Sequence, residues 1–356
     1  MQNQNLKLIA IGGLGNMLGP SSKHLHQVFV RVLDRGATSP RKDQLRAQWR
    51  VHGAELVADL PQLVGDGQFD GVVICAGKNG DDYPILKQLI PLLKAQNPSQ
   101  PYFILHLSTL SCEFVQSAHA FCAKSAVHYA NYPLTGGAKG AEEATMLILA
   151  SGDQALYQRV LPTLQTIGKP KYFGAEVDRA AAVKLIGHVL VFSGLYGQSL
   201  AINLQKKVFN LPQLGEAQLD FFDFLNTGSG GSKQWEFPMR YALAHQDWQH
   251  GFLLHHALID VFYTADLLRS QNLPRTLLLP FFEVALLMIY AILQDPHKVL
   301  ATQVIADVIA RVSSEDVEAF MQKHLTLDIA QCFQNCIQLL PDHLRKALGL
   351  VLRFGD

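Results

Sequence analysis

The run Gly12-Gly13-Leu14-Gly15-Asn16-Met17-Leu18-Gly19 follows a short apolar segment, Leu6 to Ile11, and leads into a helix-like stretch. Strand, glycine-rich turn and helix are the context a dinucleotide phosphate site requires. One glycine permits the tight turn and a second lets backbone approach a pyrophosphate. The helix start then offers unpaired N–H groups to the anion. Counted from Gly13, the spacing places Leu18 where a third glycine would allow close helix–strand packing; this is expected to shift the helix without abolishing binding. Gly13, Leu14, Gly15, Asn16 and Met17 are the candidate cofactor contacts. Asp34, at the end of the next strand, stands where an acid would hold an adenosine ribose diol. Arg35 follows it, with Arg41 and Lys42 nearby, and these could accept a 2′-phosphate, so NAD and NADP both remain open. A structural glycine turn in some other α/β protein would read the same way.

A second candidate is Lys184, set in the apolar run AAAVKLIGHVLVF. A solvated lysine is unexpected there. Partial desolvation lowers a lysine pKa toward neutrality, so that it can take a proton from a hydroxyl or give one to a carbonyl. The plainer account is a lysine reaching to solvent from a helix end. His188 lies one helical turn later and is either a second titratable group or a satisfied core histidine. The five cysteines, Cys75, Cys112, Cys122, Cys332 and Cys336, are odd in number and dispersed. They suggest neither a disulfide framework nor a zinc site. Cys332 and Cys336 share a helix face but have no neighbouring histidine, so two buried thiols and no metal are expected.

These groups need elements to position them. Short apolar runs at Leu6–Ile11, Phe29–Leu33, Gly71–Cys75, Tyr102–Leu107, Val127–Ala130 and Met146–Ala150 read as strands. Polar helical segments such as Asp81 to Gln96 separate them, which implies a parallel sheet covered on both faces. After about Asp178 strand signals vanish. Arg179 to Val208 reads as one helix roughly 45 Å long, followed by helices over Gln213–Leu225, Trp248–Gln271, Leu277–Leu293 and Glu315–Leu340. Asn226 to Ser232 (NTGSGGS) is a loop between two of them. The expected fold class is an α/β Rossmann domain followed by an all-α domain built on a long helix. The expected domains are residues 1–178, 179–295 and an added helical tail over 296–356.

The chain has 356 residues, with 30 basic and 30 acidic side chains, 49% hydrophobic and 17% charged residues. Zero net charge and no basic run argue against a nucleic-acid partner. The N-terminal apolar run is too short for a signal sequence. The longest uncharged stretch, Leu185 to Gln205, carries too many polar residues for a membrane span. A cytoplasmic protein acting on a small molecule is the expectation.

The glycine turn does not stand alone. Gly13 to Leu25 (GLGNMLGPSSKHL) resembles the opening motif of the β-hydroxyacid dehydrogenase family, which includes 3-hydroxyisobutyrate dehydrogenase and is related to 6-phosphogluconate dehydrogenase and the imine reductases. Leu107-Ser108-Thr109 is similar to the family's SST turn. Tyr132 to Glu142 (YPLTGGAKGAE) is similar to its substrate loop. Lys184 falls where the family places its catalytic lysine. Asn226 to Gly230 resembles an interhelical loop, and Phe252, Asp260 and Pro274 repeat a spaced F…D…P pattern. The matches run in order over roughly residues 6 to 290.

The resemblance implies hydride transfer between NAD or NADP and a small hydroxyacid carbon, with Lys184 as general acid/base and His188 beside it. It implies a substrate carboxylate held by Thr135 and the N–H groups of Gly136 and Gly137, with Ser108 nearby. It adds Ala76, Gly77, Thr109 and Asp260 to the cofactor contacts. Ser108 and Thr109 could equally cap the next helix. The resemblance also implies a homodimer with interlocked helical domains, which would account for the surplus apolar composition.

The sequence departs from the family at several points. The family's asparagine after the lysine is His188, and the lysine before its aspartate is Ile259. Ala76-Gly77 replaces a Leu-Pro pair, and His106 replaces an acid before Ser108. Two alternatives therefore stay open: a dinucleotide-binding protein with lost or altered catalysis, and a reductase of imines or aldehydes. Imine reductases of this superfamily usually lose the lysine, which Lys184 argues against.

Overall fold

The computed structural model describes residues 6–311 and 313–349. Six strands form a parallel sheet: β1 (Leu8–Ile11), β2 (Phe29–Leu33), β3 (Glu55–Val57), β4 (Gly71–Ile74), β5 (Phe103–His106) and β6 (His128–Asn131). Their spatial order is β3-β2-β1-β4-β5-β6, the Rossmann order whose direction reverses beside β1. β1, β4 and β5 are buried along their whole length, as covered parallel strands must be.

Alternate side chains enter two cores. Leu8, Ala10, Val32, Val73 and Leu105 face one side; Ile9, Ile11, Leu33, Val72, Ile74 and Ile104 face the other. The period of two does this, since successive side chains of a strand point to opposite faces.

Two strand expectations change. β3 is a three-residue edge strand with one buried position, too short to stand out as an apolar run. Met146–Ala150 is a strand but leaves the main sheet. As β8 it lies between β7 (Leu134–Thr135), antiparallel to it, and β9 (Gly168–Tyr172), parallel to it. β9 reads GKPKY and is only half-buried, so it carries no apolar signature. Gly168 is required there: an added Cβ would lie 2.1 Å from the Met146 carbonyl oxygen.

The chain divides into two compact units, the first running to Lys184 and the second from Leu185 to Arg345. The long helix Arg179–Val208 has the expected bounds. Among the described residues it is the one helix long and apolar enough to cross a bilayer by length and composition. In the second unit the expected helices shorten to Leu219–Asn226, Leu254–Ser270 and Leu279–Gln294. A kinked segment at Trp235–Met239, with Phe237 extended, leading into the helix Arg240–His245, and the helix Val304–Arg311, were not expected. The segment Glu315–Leu340 is two helices, Ser314–His324 and Ile329–Leu339. Asp328 breaks it, its side chain accepting hydrogen bonds from the Ala330 and Gln331 N–H groups, so it is an N-cap. The helix Leu279–Gln294 packs on Leu254–Ser270 and on the three helices of residues 304–339. Residues 296–345 thus share the unit of 185–295.

Candidate active site

The glycine turn leaves β1 at the carboxyl edge of the sheet, beside the loop that leaves β4. That is the position where open α/β sheets bind ligands. Gly12 has φ +84°, and a Cβ on it would lie 2.1 Å from the Cys75 carbonyl oxygen. The tight turn therefore belongs to Gly12, one residue before the expected motif. Gly13 is buried, and its carbonyl accepts a 2.7 Å hydrogen bond from the buried Trp49 indole. Leu18 starts the following short helix and packs into the core. Gly19 takes over close packing, since a Cβ there would meet the Leu45 side chain at 2.7 Å. The missing third glycine is thus displaced by one position. Asn16 is exposed, with Leu14, Gly15 and Met17 half-buried around it.

Asp34 follows β2 but is not open. Arg46 holds it with two hydrogen bonds, Nε to Oδ2 at 2.7 Å and Nη2 to Oδ1 at 3.0 Å. That bond holds the Asp34 carboxyl below the usual carboxylate range. Arg35 points to solvent. Past β4, Ala76 is exposed and Gly77 packs against Asp81.

The turn after β5 presents Ser108 and Thr109. Asn131, buried at the end of β6, clamps it: Nδ2 donates to the carbonyls of His106 at 2.8 Å and Ser108 at 3.0 Å. The Ser108 hydroxyl is buried, with no partner among the described residues. Leaving a buried hydroxyl unsatisfied costs about 1–3 kcal/mol. An unsatisfied hydroxyl at the end of β5, two strands along from the glycine turn, fits a site that takes a polar ligand group. His106 faces the other way. Its ring sits between Asp82 Oδ2 at 2.8 Å and the Tyr129 hydroxyl at 2.9 Å. His106 and Asp82 are wholly inaccessible and Tyr129 nearly so. The histidine that replaces the family's acid is part of the core beneath the turn.

Of the residues expected to hold substrate, Thr135 meets Lys184. Thr135 ends β7, and Gly136 (φ +129°) and Gly137 (φ +64°) carry the chain into the helix Gly137–Glu142. Both glycines sit in backbone conformations that L side chains rarely adopt. Nothing lies within 4 Å of where a Gly137 side chain would start. The long helix is anchored at its start by the buried Ser151 hydroxyl, which accepts from the Ala180 N–H at 2.9 Å. Ala180 and Ala181 are buried just after it. This fixes the face on which Lys184 emerges. Its side chain is 9% exposed, and Nζ donates to Thr135 Oγ1 at 2.6 Å. The lysine is therefore turned into the structure and does not reach out to solvent.

One turn further along the helix, in the second unit, His188 is buried against Phe192. Its Nε2 lies 3.9 Å from Asp260 Oδ2, a charge contact too long for a hydrogen bond. Asp260, expected among the cofactor contacts, is 1% exposed and faces this histidine. Sequence reasoning missed Arg46, Trp49, Asp82 and Asn131. Only Asn131 carried a signal, standing immediately before the Tyr132–Glu142 motif. Among the described residues no cluster of histidine, cysteine and acids could hold a metal ion.

Residues 8–184 match the model of the NAD binding domain of 6-phosphogluconate dehydrogenase. The chain is 24% identical over 151 residues to 2-(hydroxymethyl)glutarate dehydrogenase of Eubacterium barkeri, covering 42% of this chain and 48% of that protein. It is 25% identical over 198 residues to mitochondrial 3-hydroxyisobutyrate dehydrogenase of Drosophila melanogaster, covering 56% and 58%. The chain thus spans about half the length of these two curated relatives. A solved 3-hydroxyisobutyrate dehydrogenase from Salmonella typhimurium shares the fold over 85% of this chain and 99% of its own, with TM-score 0.70 and 18% identity. With its glycine turn at the β1–β4 edge, the first part of the chain is thus similar to the NAD binding domain of 6-phosphogluconate dehydrogenase, and the chain resembles 3-hydroxyisobutyrate dehydrogenases in sequence and shares their fold, long helix included.

Proposed function

We propose that this chain oxidises a small β-hydroxyacid-like substrate, or reduces the matching carbonyl, with Lys184 as general acid/base. The contact from Lys184 Nζ to Thr135 Oγ1 carries the reading. It puts a buried amine against the Thr135 hydroxyl, and the backbone N–H groups of Gly136 and Gly137 follow that residue in the chain. The N–H groups and the Thr135 hydroxyl suit a carboxylate. Lys184, beside them, then meets a hydroxyl on a neighbouring carbon. The turn of residues 12–19 would hold the pyrophosphate of a dinucleotide, with Ser108 and Thr109 toward its nicotinamide, and the cofactor would supply or accept the hydride. Lys184 removes the hydroxyl proton in one direction and returns it to the carbonyl oxygen in the other. His188, facing Asp260 at 3.9 Å, stands one helical turn further along.

The test is nicotinamide absorbance with purified protein, NAD+ or NADP+ and a panel of small hydroxy acids. Lys184→Ala is expected to lower kcat by about 10²–10⁴-fold while leaving dinucleotide affinity within a few-fold. Equal rates for wild type and variant on every turned-over substrate would overturn the assignment. Binding without turnover would favour the non-catalytic alternative.

The proposal includes a homodimer. Ile186, Leu190, Leu200, Leu204 and Val208 form an exposed apolar stripe along the long helix, with Phe224 exposed on a neighbouring helix of the second unit. An exposed apolar stripe of this kind supports a partner face. A cytoplasmic, reducing setting is supported by the free cysteines. Burial pushes the Cys75 and Cys122 thiols up to about 12, so they are poor nucleophiles at neutral pH.

A further inference from the structure

NAD and NADP present the same pyrophosphate to the glycine turn. They differ by one 2′-phosphate on the adenosine ribose, which a Rossmann domain meets just past β2. An NAD-selective site offers a carboxylate there with both oxygens open to the ribose diol. Asp34 occupies that place, but its oxygens are engaged. A carboxylate has about four acceptor positions. Arg46 Nε and Nη2 take one on each oxygen, and the Gly36 N–H takes another on Oδ1 at 3.0 Å. Arg46 is itself locked, with Nη1 donating to Asp43 at 2.6 Å and Nη2 to the Ala37 carbonyl at 2.8 Å. The Arg46 and Asp34 side chains are only 12% and 18% exposed. Bidentate arginine–carboxylate pairs of this kind are among the strongest hydrogen-bonded contacts. A ribose diol would have to displace it.

The local charge balance points the same way. From Asp34 to Arg46 the chain carries four basic side chains, Arg35, Arg41, Lys42 and Arg46, and two acids, Asp34 and Asp43. Both acids pair with Arg46. Arg35 and Arg41 are exposed and Lys42 half-buried, and Lys42 lies close enough to Asp34 to act on its charge.

We infer that this chain takes NADP in preference to NAD, Arg46 neutralising Asp34 while Arg35, Arg41 and Lys42 receive the 2′-phosphate. The inference rests on reading the glycine turn as a dinucleotide site. Without Arg46, the Asp34 carboxylate would repel the phosphate and invite the diol, so Arg46 acts as the specificity-determining residue.

The experiment is calorimetric titration of the full chain with NADP+ and, separately, NAD+, at two salt concentrations. NADP+ is expected to bind about tenfold tighter or better, a free-energy difference of ordinary size for a charged contact. Its affinity should fall more steeply with salt than that of NAD+. Arg46→Ala should reverse or erase the preference. Because that change removes a locked side chain, Arg35→Ala combined with Lys42→Ala serves as the second variant: both are surface changes, expected to weaken NADP+ about tenfold and leave NAD+ unchanged. NAD+ binding as tight as NADP+, or a double variant that loses neither, overturns the inference while leaving the dinucleotide site standing. Binding of neither dinucleotide overturns the dinucleotide reading, and this inference with it.

Discussion

Asp34 and Lys184 are an acid and a base whose partners lie far off in sequence. Asp34 meets Arg46 twelve residues later, and Lys184 meets Thr135 forty-nine residues earlier. For Asp34 the pairing has a pH consequence. Its carboxyl titrates below the usual carboxylate value when folded. The stabilisation is therefore complete above the unfolded value, about 4, and is lost as pH falls through the lower folded value. The gap in urea midpoint between wild type and Asp34→Asn is expected to be widest at pH 6–7 and to narrow toward pH 3. A constant gap would show that the charge on Asp34 contributes nothing. Lys184 was legible because a lysine in an apolar helix is conspicuous. Arg46 was not, because an arginine on an exposed helix face looks like any solvated charge until the fold brings a carboxylate beneath it. Asp260, expected among the cofactor contacts, is buried facing His188, a property of helix packing in the second unit that spacing along the chain does not encode.

Elements were read well where an apolar run or a long period announced them. β2 and the helix Arg179–Val208 have the expected bounds. Those that failed had weak or misleading local signals. β9 is polar and half-buried, so only its pairing with β8 makes it a strand. Gly168 is the residue that permits that pairing. Gly168→Ala is expected to destabilise the first unit by about 1–3 kcal/mol, visible as a lower thermal midpoint, because its methyl group would be driven into the Met146 carbonyl. An unchanged midpoint would mean that β8 and β9 have room to separate. The tail segment taken as one helix breaks at Asp328 because its carboxylate satisfies two N–H groups that a continuous helix would have bonded internally. An aspartate within a helical period can be either a surface residue or a cap, and the chain direction around it decides.

At the scale of the whole molecule, the neutral, apolar composition fits a chain with two cores around its sheet and an uncovered stripe on the long helix. Light scattering is expected to give about twice the chain mass of 39.4 kDa. Leu190→Lys with Leu204→Lys should shift it toward the single-chain mass, since each buries a charge at the proposed interface. A wild-type mass of one chain would refute the dimer, and dependence on detergent for solubility would point to a lipid surface instead. The sequence alone determined the architecture: β/α alternation, a glycine turn after the first strand, then a long apolar helix. Hydrophobic periodicity and turn chemistry are local, so they survive in the order of the residues. Tertiary structure decided which glycine makes the turn, which sheet takes Met146–Ala150, what Lys184 touches and what already holds Asp34. Each of these depends on atoms brought together from distant parts of the chain, where packing and hydrogen-bond geometry choose among partners the sequence leaves equivalent.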